Sequence, residues 1–220
     1  MGEQRQKQEE RKANMARIGI MGGTFDPIHN GHLQLGRQAK EEYALDQVWF
    51  MPSGQPPHKK DHKITDAKIR LEMVRLALEG QDGLMLSDFE LRRPGNTYTA
   101  QTLSLLREEY PEDQFYFIIG ADSLYDIEKW YHPEAVMAQA VLLVASRDWD
   151  KKHPTLEGQI SHLSEKYGAK INILHCSKVH VSSEEIRRMV SQGKPLEGLL
   201  PERVVEYVKQ HHLYEQPSLV

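Results

Sequence analysis

Cysteine is almost missing from this chain: Cys176 stands alone among 220 residues. A lone thiol excludes an internal disulfide framework and a cysteine-built zinc cluster. It suits a reducing compartment, and the expected location is cytoplasmic. Cys176 itself reads as a small, half-buried hydrophobe. Long apolar runs are missing too. No stretch approaches the ~18–20 residues that a membrane helix needs, so no membrane partner is expected. Nor is there an excess of one charge. Lys and Arg number 28 against 32 Asp and Glu, giving a net charge of −4, and the two signs are interspersed. That distribution calls for no nucleic-acid partner. The segment from Met1 to Asn14 lacks apolar side chains almost entirely. A secretory signal needs an apolar stretch, and so polar a segment cannot bury enough surface to offset the entropy of ordering. Residues 1–14 are therefore expected to be a disordered extension, with Met15 a candidate start of the functional part. The remaining 15–220 is expected to be a single domain, with residues 181–220 as a small carboxyl-terminal helical part.

What is present is an alternation. Ala16–Met21 is a short apolar run before two glycines and predicts a buried first strand. A helical pattern through Leu33, Leu35 and Ala39 runs to about Tyr43. Gln47–Pro52 predicts a second strand, stopped by proline, and residues 53–63 a loop rich in Pro, Lys and His. Thr65 is the expected N-cap of a helix to Leu78 with Ile69, Met73, Leu76 and Ala77 on one side. Leu84–Leu91 predicts a third strand and Thr99–Tyr110 a helix. Gln114–Ile119 predicts a fourth strand ending at Gly120, with short helices from Asp122 to Ala140 interrupted at Pro133. Val141–Val144, a helix over Leu156–Tyr167, Lys170–Leu174 and two final helices complete the pattern. Strands alternating with helices predict an α/β fold, a Rossmann-like doubly wound parallel sheet covered on both faces. Ligands of such sheets sit beyond the carboxyl ends of the strands.

Gly22 and Gly23 fall at such an end, followed by Thr24-Phe25-Asp26-Pro27-Ile28-His29-Asn30-Gly31-His32. Glycine lets a ligand approach the backbone, and unpaired amides at a helix start favour phosphate. The GxGxxG dinucleotide spacing is missing, and so is the Gly-Lys-Ser/Thr of a P-loop. His29 and His32 are three apart and share one side of the helix start. Two imidazoles there can donate hydrogen bonds to phosphate oxygens that gain charge during transfer. Two blander readings stay open: local capping or packing, and a metal pair. No third or fourth ligand for a metal is evident.

These residues resemble the signature of the HxGH nucleotidylyltransferase superfamily. The wider set is similar to the bacterial nicotinate-nucleotide adenylyltransferase family. Its further elements are Pro52 with Pro56-Pro57-His58-Lys59, Asn96-Thr97-Tyr98-Thr99, Phe117–Ser123 with Trp130-Tyr131, and Val181-Ser182-Ser183 with Ile186-Arg187. The likeness runs from about Ala16 to Tyr214. It implies transfer of AMP from ATP to nicotinate mononucleotide, with pyrophosphate leaving, Mg2+ held mainly by the substrate phosphates, and no protein metal ligand.

The resemblance implies a role for each segment. Gly22, Gly23, Thr24 and Phe25 would line the nucleotides through their backbone. His29 and His32 would bind the ATP phosphates, and Lys59 and Arg187 would add positive charge. Gly120 and Asp122 would meet the adenosine end, Asp122 as a ribose hydroxyl partner. Ser182, Ser183 and Arg187 would hold the β- and γ-phosphates, although Ser182 with Glu185 also reads as a capping box. His58 and Lys59 would lie near the bridging phosphates, or be a solvated basic loop. Thr99, Trp130 and Tyr131 would form the nicotinate pocket; Trp130 also reads as a core anchor. Two positions depart from the family pattern. Glu184 stands where Thr or Ser is usual, and Arg147 is followed by Asp148-Trp149 rather than Pro-Gly, while still assigned to the adenine side. The rival functions are a phosphopantetheine adenylyltransferase, a polyol-phosphate cytidylyltransferase, or a nucleotide-binding module without chemistry. The choice between nicotinate and its amide would fall to backbone amides, which the sequence does not reveal. A homo-oligomer is compatible with all of them.

Overall fold

A computed structural model describes residues 15–54, 64–145, 155–176 and 181–215. Along the chain these form β1 (Arg17–Gly23), α1 (Asn30–Glu42), β2 (Gln47–Pro52), α2 (Ala67–Leu78), β3 (Leu84–Leu86), α3 (Thr99–Glu109) and β4 (Gln114–Gly120). There follow α4 (Ala121–Asp126), a 3-10 turn (Ile127–Lys129), α5 (Pro133–Gln139), β5 (Val141–Ala145), α6 (Leu156–Tyr167), β6 (Ile171–Leu174), α7 (Ser183–Ser191) and α8 (Glu202–Gln210). Among the described residues the sheet has six strands in the order β3-β2-β1-β4-β5-β6. Every pairing is parallel. This is the expected doubly wound α/β fold, and its strand order reverses between β1 and β4.

Burial on both faces explains why the strands read as unbroken apolar runs rather than alternating ones. Met21, Phe50, Tyr116, Ile118 and Leu143 form one core with α1, α2, α7 and α8. Ile20, Met51, Phe117, Ile119 and Leu142 form the other with α3, α5 and α6. The carboxyl-terminal helices belong to the first core: Ile186, Val204 and Val208 are all buried in it. Helix α1 lies very close to the sheet at Gly36. A Cβ there would stand 2.7 Å from the Phe50 ring, and well-packed interiors cannot absorb that without moving.

The main departures from the sequence expectation lie at element boundaries. The first strand runs on through both glycines, because Gly22 pairs with Met51 and Gly23 with Pro52. The third strand stops at Leu86 instead of Leu91. Beyond it the chain turns: Leu91 and Arg92 donate their N–H to Asp88 O, and Arg93 to Glu90 O. Backbone groups satisfied locally no longer pair with β2. Finally, the N-cap of α2 is Asp66, whose side chain accepts from Lys68 N at 2.8 Å. Thr65 is used differently, as described below. Pro133 opens α5 rather than breaking a helix, since its fixed φ and missing N–H suit a first turn.

Candidate active site

The glycine pair ends β1 beside β4, at the switch point of the sheet. Gly22 is exposed, and a Cβ on it would meet only the Phe117 ring at 3.6 Å. Gly23 is more constrained: a Cβ would lie 3.0 Å from Phe25. The Phe25 ring is buried, and its backbone sits at φ 50. A bulky residue holds a positive φ only where its surroundings enforce it. Here the ring is wedged between Gly23, Phe50 and the edge of His32, whose centroid is 5.0 Å away. Phe25 is therefore the floor under the histidine as well as part of the loop.

His29 is the N-cap of α1 and His32 lies on its first turn. Their rings stack at 3.6 Å. The His29 backbone N–H donates to His32 Nδ1 at 3.2 Å. A neutral imidazole that accepts at Nδ1 carries its proton on Nε2, so the local fold selects a tautomer in which Nε2–H is the donor. Capping and donation are not exclusive; the cap sets the donor.

Five hydrogen bonds join the carboxyl-terminal part to residues 26–30. Ser183 Oγ donates to Pro27 O at 2.8 Å, and Arg187 Nη1 to Asp26 O at 2.7 Å. Asn30 donates its backbone N–H to Leu199 O and its Nδ2 to Gly198 O. Tyr214 Oη donates to Asp26 Oδ1 at 2.7 Å. Ser182 caps α7 by accepting from Glu185 N at 3.1 Å, and Glu184 is exposed on the same first turn. Ser183 and Arg187, expected near phosphates, thus also tie α7 to the histidine loop.

Sequence reasoning missed the residues that organise this region. Arg70 on α2 is 1% exposed and Asp26 is 2%. The Arg70 guanidinium reaches Thr24 O, Ser53 O, Gly54 O and Thr65 O. Asp26 Oδ2 accepts from Thr65 N at 3.2 Å. Burial holds the Arg70 pKa below the usual arginine value, while the Asp26 charge pulls the other way. Burial, and then the same carboxylate, pushes the Tyr214 hydroxyl well above the usual tyrosine range. Such a group stays a hydrogen-bond donor. One signal in the sequence marks Arg70: it is a charge three residues before Met73, on the apolar side of α2. Tyr214 carries no such signal.

The other half of the site is built from rings. Gly120 ends β4, and a Cβ on it would meet nothing within 4 Å. Asp122, Ser123, Asp126, Lys129 and Trp130 line a pocket of about 380 Å³. The structure thus brings together Asp122 and Trp130, expected at different substrates. Trp130 is half-buried with its ring edge-on to Phe117 at 6.2 Å, so it anchors to the core and lines the pocket at once. Thr99 is the first residue of α3, and its neighbour Tyr98 lies 4.5 Å from the ring of Tyr131, which is 45% exposed. Gly54 lies against Thr97, which joins the end of β2 to this turn. His58, Lys59 and Arg147 lie outside the described residues. Cys176 is half-buried after β6.

A parallel sheet with a glycine pair ending the strand at its switch point and a stacked histidine pair opening the next helix defines a nucleotidyltransferase-type site. The cytidylyltransferase-like family model matches residues 20–189. Full-length relatives narrow the class. A probable nicotinate-nucleotide adenylyltransferase of Lachnoclostridium phytofermentans is 42% identical over 91% of this chain and 100% of its own length. One from Thermomicrobium roseum is 38% identical over 91% of this chain and 92% of its own. The chain belongs to the nicotinate-nucleotide adenylyltransferase family. The nicotinic acid mononucleotide adenylyltransferase of Plasmodium falciparum, solved with NaAD, has the same fold: TM-score 0.74 at 20% identity, over 90% of this chain and 97% of that one.

Proposed function

We propose that this protein transfers AMP from ATP to nicotinate mononucleotide, forming nicotinate adenine dinucleotide and pyrophosphate on the route to NAD. The observation that carries the reading is the 42% identity to a relative of that name across the relative's whole length. The match covers 200 residues, enough to span the acceptor-side segments as well as the histidine loop. The names shared by the full-length relatives favour it over the pantetheine, polyol-phosphate and non-catalytic alternatives.

In the proposed reaction an oxygen of the mononucleotide phosphate bonds to the α-phosphorus of ATP. The bond from that phosphorus to the bridging oxygen breaks, and pyrophosphate leaves with the electron pair. No protein nucleophile is needed; positioning and charge stabilisation suffice. His32 would donate from Nε2 to an oxygen gaining charge, with His29 stacked on it. Arg187, Ser182 and Ser183 at the start of α7 would meet the β- and γ-phosphates, and Lys59 would add charge from its loop. Gly22 to Phe25 would line the nucleotide, and Gly120, Asp122 and Arg147 would take the adenosine end. His58, Thr99, Trp130 and Tyr131 would receive the mononucleotide. Mg2+ would enter on the phosphates, since it keeps most of its waters and needs few protein ligands. The buried Asp26 carboxylate is committed to Thr65 and Tyr214, so it is not placed as a metal ligand. We place the reaction in the cytoplasm; among the described residues no helix is long and apolar enough to cross a membrane.

The test is pyrophosphate release from ATP with nicotinate mononucleotide and, in parallel, its amide. Release with the acid is expected, lost on chelation by EDTA and restored by Mg2+. No release with either acceptor would overturn the assignment.

A further inference from the structure

Arg70 takes no part in the transfer just described, yet its cation is almost fully withdrawn from water. Burying a charge is costly unless it is well hydrogen-bonded. Its hydrogen bonds go to three separate stretches of backbone. Nη1 donates to Thr24 O at 2.7 Å, in the loop that leads to the histidines. Nη2 donates to Ser53 O at 2.8 Å and Gly54 O at 3.3 Å, where the chain leaves β2. Nε donates to Thr65 O at 2.9 Å, where the described chain resumes before α2. Thr65 is held from its other side too, through its N–H on Asp26 Oδ2, and Tyr214 fixes that carboxylate through Oδ1.

We propose that Arg70 is a positioning residue that sets the spacing between the nucleotide half and the acceptor half of the site, by tying the glycine loop to both stems of the segment that follows β2. The inference rests on the adenylyltransferase reading above. Thr24 belongs to the nucleotide side. Gly54 abuts Thr97 in the turn assigned to the acceptor. A guanidinium holds its donors in one rigid plane, so the positions of Thr24 O, Ser53 O and Thr65 O are set relative to one another by a single group rooted in the core. A phosphate and the phosphorus it attacks must meet within a few tenths of an ångström of the reactive geometry. A misplacement of 1 Å from a remote change costs about 10²-fold in rate.

Arg70→Lys separates this role from plain stabilisation. Lysine keeps the charge and much of the length but presents one nitrogen, which cannot span the carbonyl groups of all three backbone stretches. Pyrophosphate release is measured for the wild type and Arg70→Lys at a temperature where circular dichroism shows both folded, varying ATP and mononucleotide separately. ATP affinity is measured without acceptor. The expected result is a fall of about 10²-fold in kcat/KM for the mononucleotide, with ATP affinity nearly unchanged. An Arg70 that only stabilises the fold would lower Tm while kcat and both KM values stay at wild type, and that outcome overturns the proposal. If Arg70→Lys does not fold, Tyr214→Phe decides: it frees Asp26 and so loosens Thr65, the same stem. A raised mononucleotide KM is expected, and unchanged kinetics in that variant overturn the proposal. A wild type that releases no pyrophosphate refutes the functional reading; an active wild type matched by Arg70→Lys refutes the role of Arg70.

Discussion

The two halves of the site are held in different ways. The histidine loop is gripped by hydrogen bonds to its backbone from Arg70, Ser183 and Arg187, while its own Asn30 donates to Gly198 O and Leu199 O and Tyr214 donates to the Asp26 side chain. The side proposed to receive the mononucleotide is organised by ring contacts, Tyr98 on Tyr131 and Trp130 on Phe117, with Tyr131 45% exposed. Directional bonds fix a position; ring contacts tolerate sliding. The contrast suits the chemistry. Donors to a developing charge act only if they are already in place, whereas a stacked ring can adjust as its ligand enters.

Perturbing each half tests the contrast. The largest effect is expected at His32. His32→Ala removes the Nε2 donor and should cut kcat by about 10²–10³-fold. Mononucleotide binding should change far less, as steady-state kinetics with both substrates varied will show. Equal losses in binding and turnover would break the division of labour. Gly23→Ala comes next, because its Cβ must displace the Phe25 ring beneath His32. Overpacking of this kind costs about 1–3 kcal/mol, read as a lower thermal midpoint together with reduced kcat. Trp130→Ala should act in the opposite sense, raising mononucleotide KM roughly 10-fold through lost stacking with kcat nearly intact. Tyr131→Ala at the exposed rim should raise the same KM less than Trp130→Ala does.

The smallest effect concerns pH. The folded pKa of Tyr214 lies above its unfolded value of about 10, owing first to burial and then to Asp26. Its contribution to stability is thus fully present below pH ~10 and is lost as pH rises toward the folded value, because only the unfolded chain then releases the proton. Denaturation midpoints should fall more steeply above that pH for the wild type than for Tyr214→Phe. Parallel curves would show that the hydroxyl is not held as described.

Much of this was legible in the residue order. The apolar runs of β1, β2, β4 and β5 marked a sheet buried on both faces, and the helix over Leu156–Tyr167 was placed at its observed ends. The glycine and histidine spacing located the loop at the switch point. Failures occurred where tertiary pairing decides a boundary. Gly22 and Gly23 look like a turn but are strand, because Met51 and Pro52 pair with them. Leu84–Leu91 looks like one strand but ends at Leu86, because the chain satisfies its backbone locally.

The sequence by itself determined the fold class and the family, and marked the segments proposed to meet the substrates, because periodicity and short motifs act over a few residues. Only the tertiary structure decided what holds those segments together. Arg70 reads as a blemish on an amphipathic helix until Thr24, Ser53 and Thr65 are seen converging on it. Asp26 and Tyr214 are 188 residues apart in the chain and 2.7 Å apart in space. A hydrogen bond depends on distance and direction in the folded molecule, and local spacing along the chain encodes neither for partners so far apart.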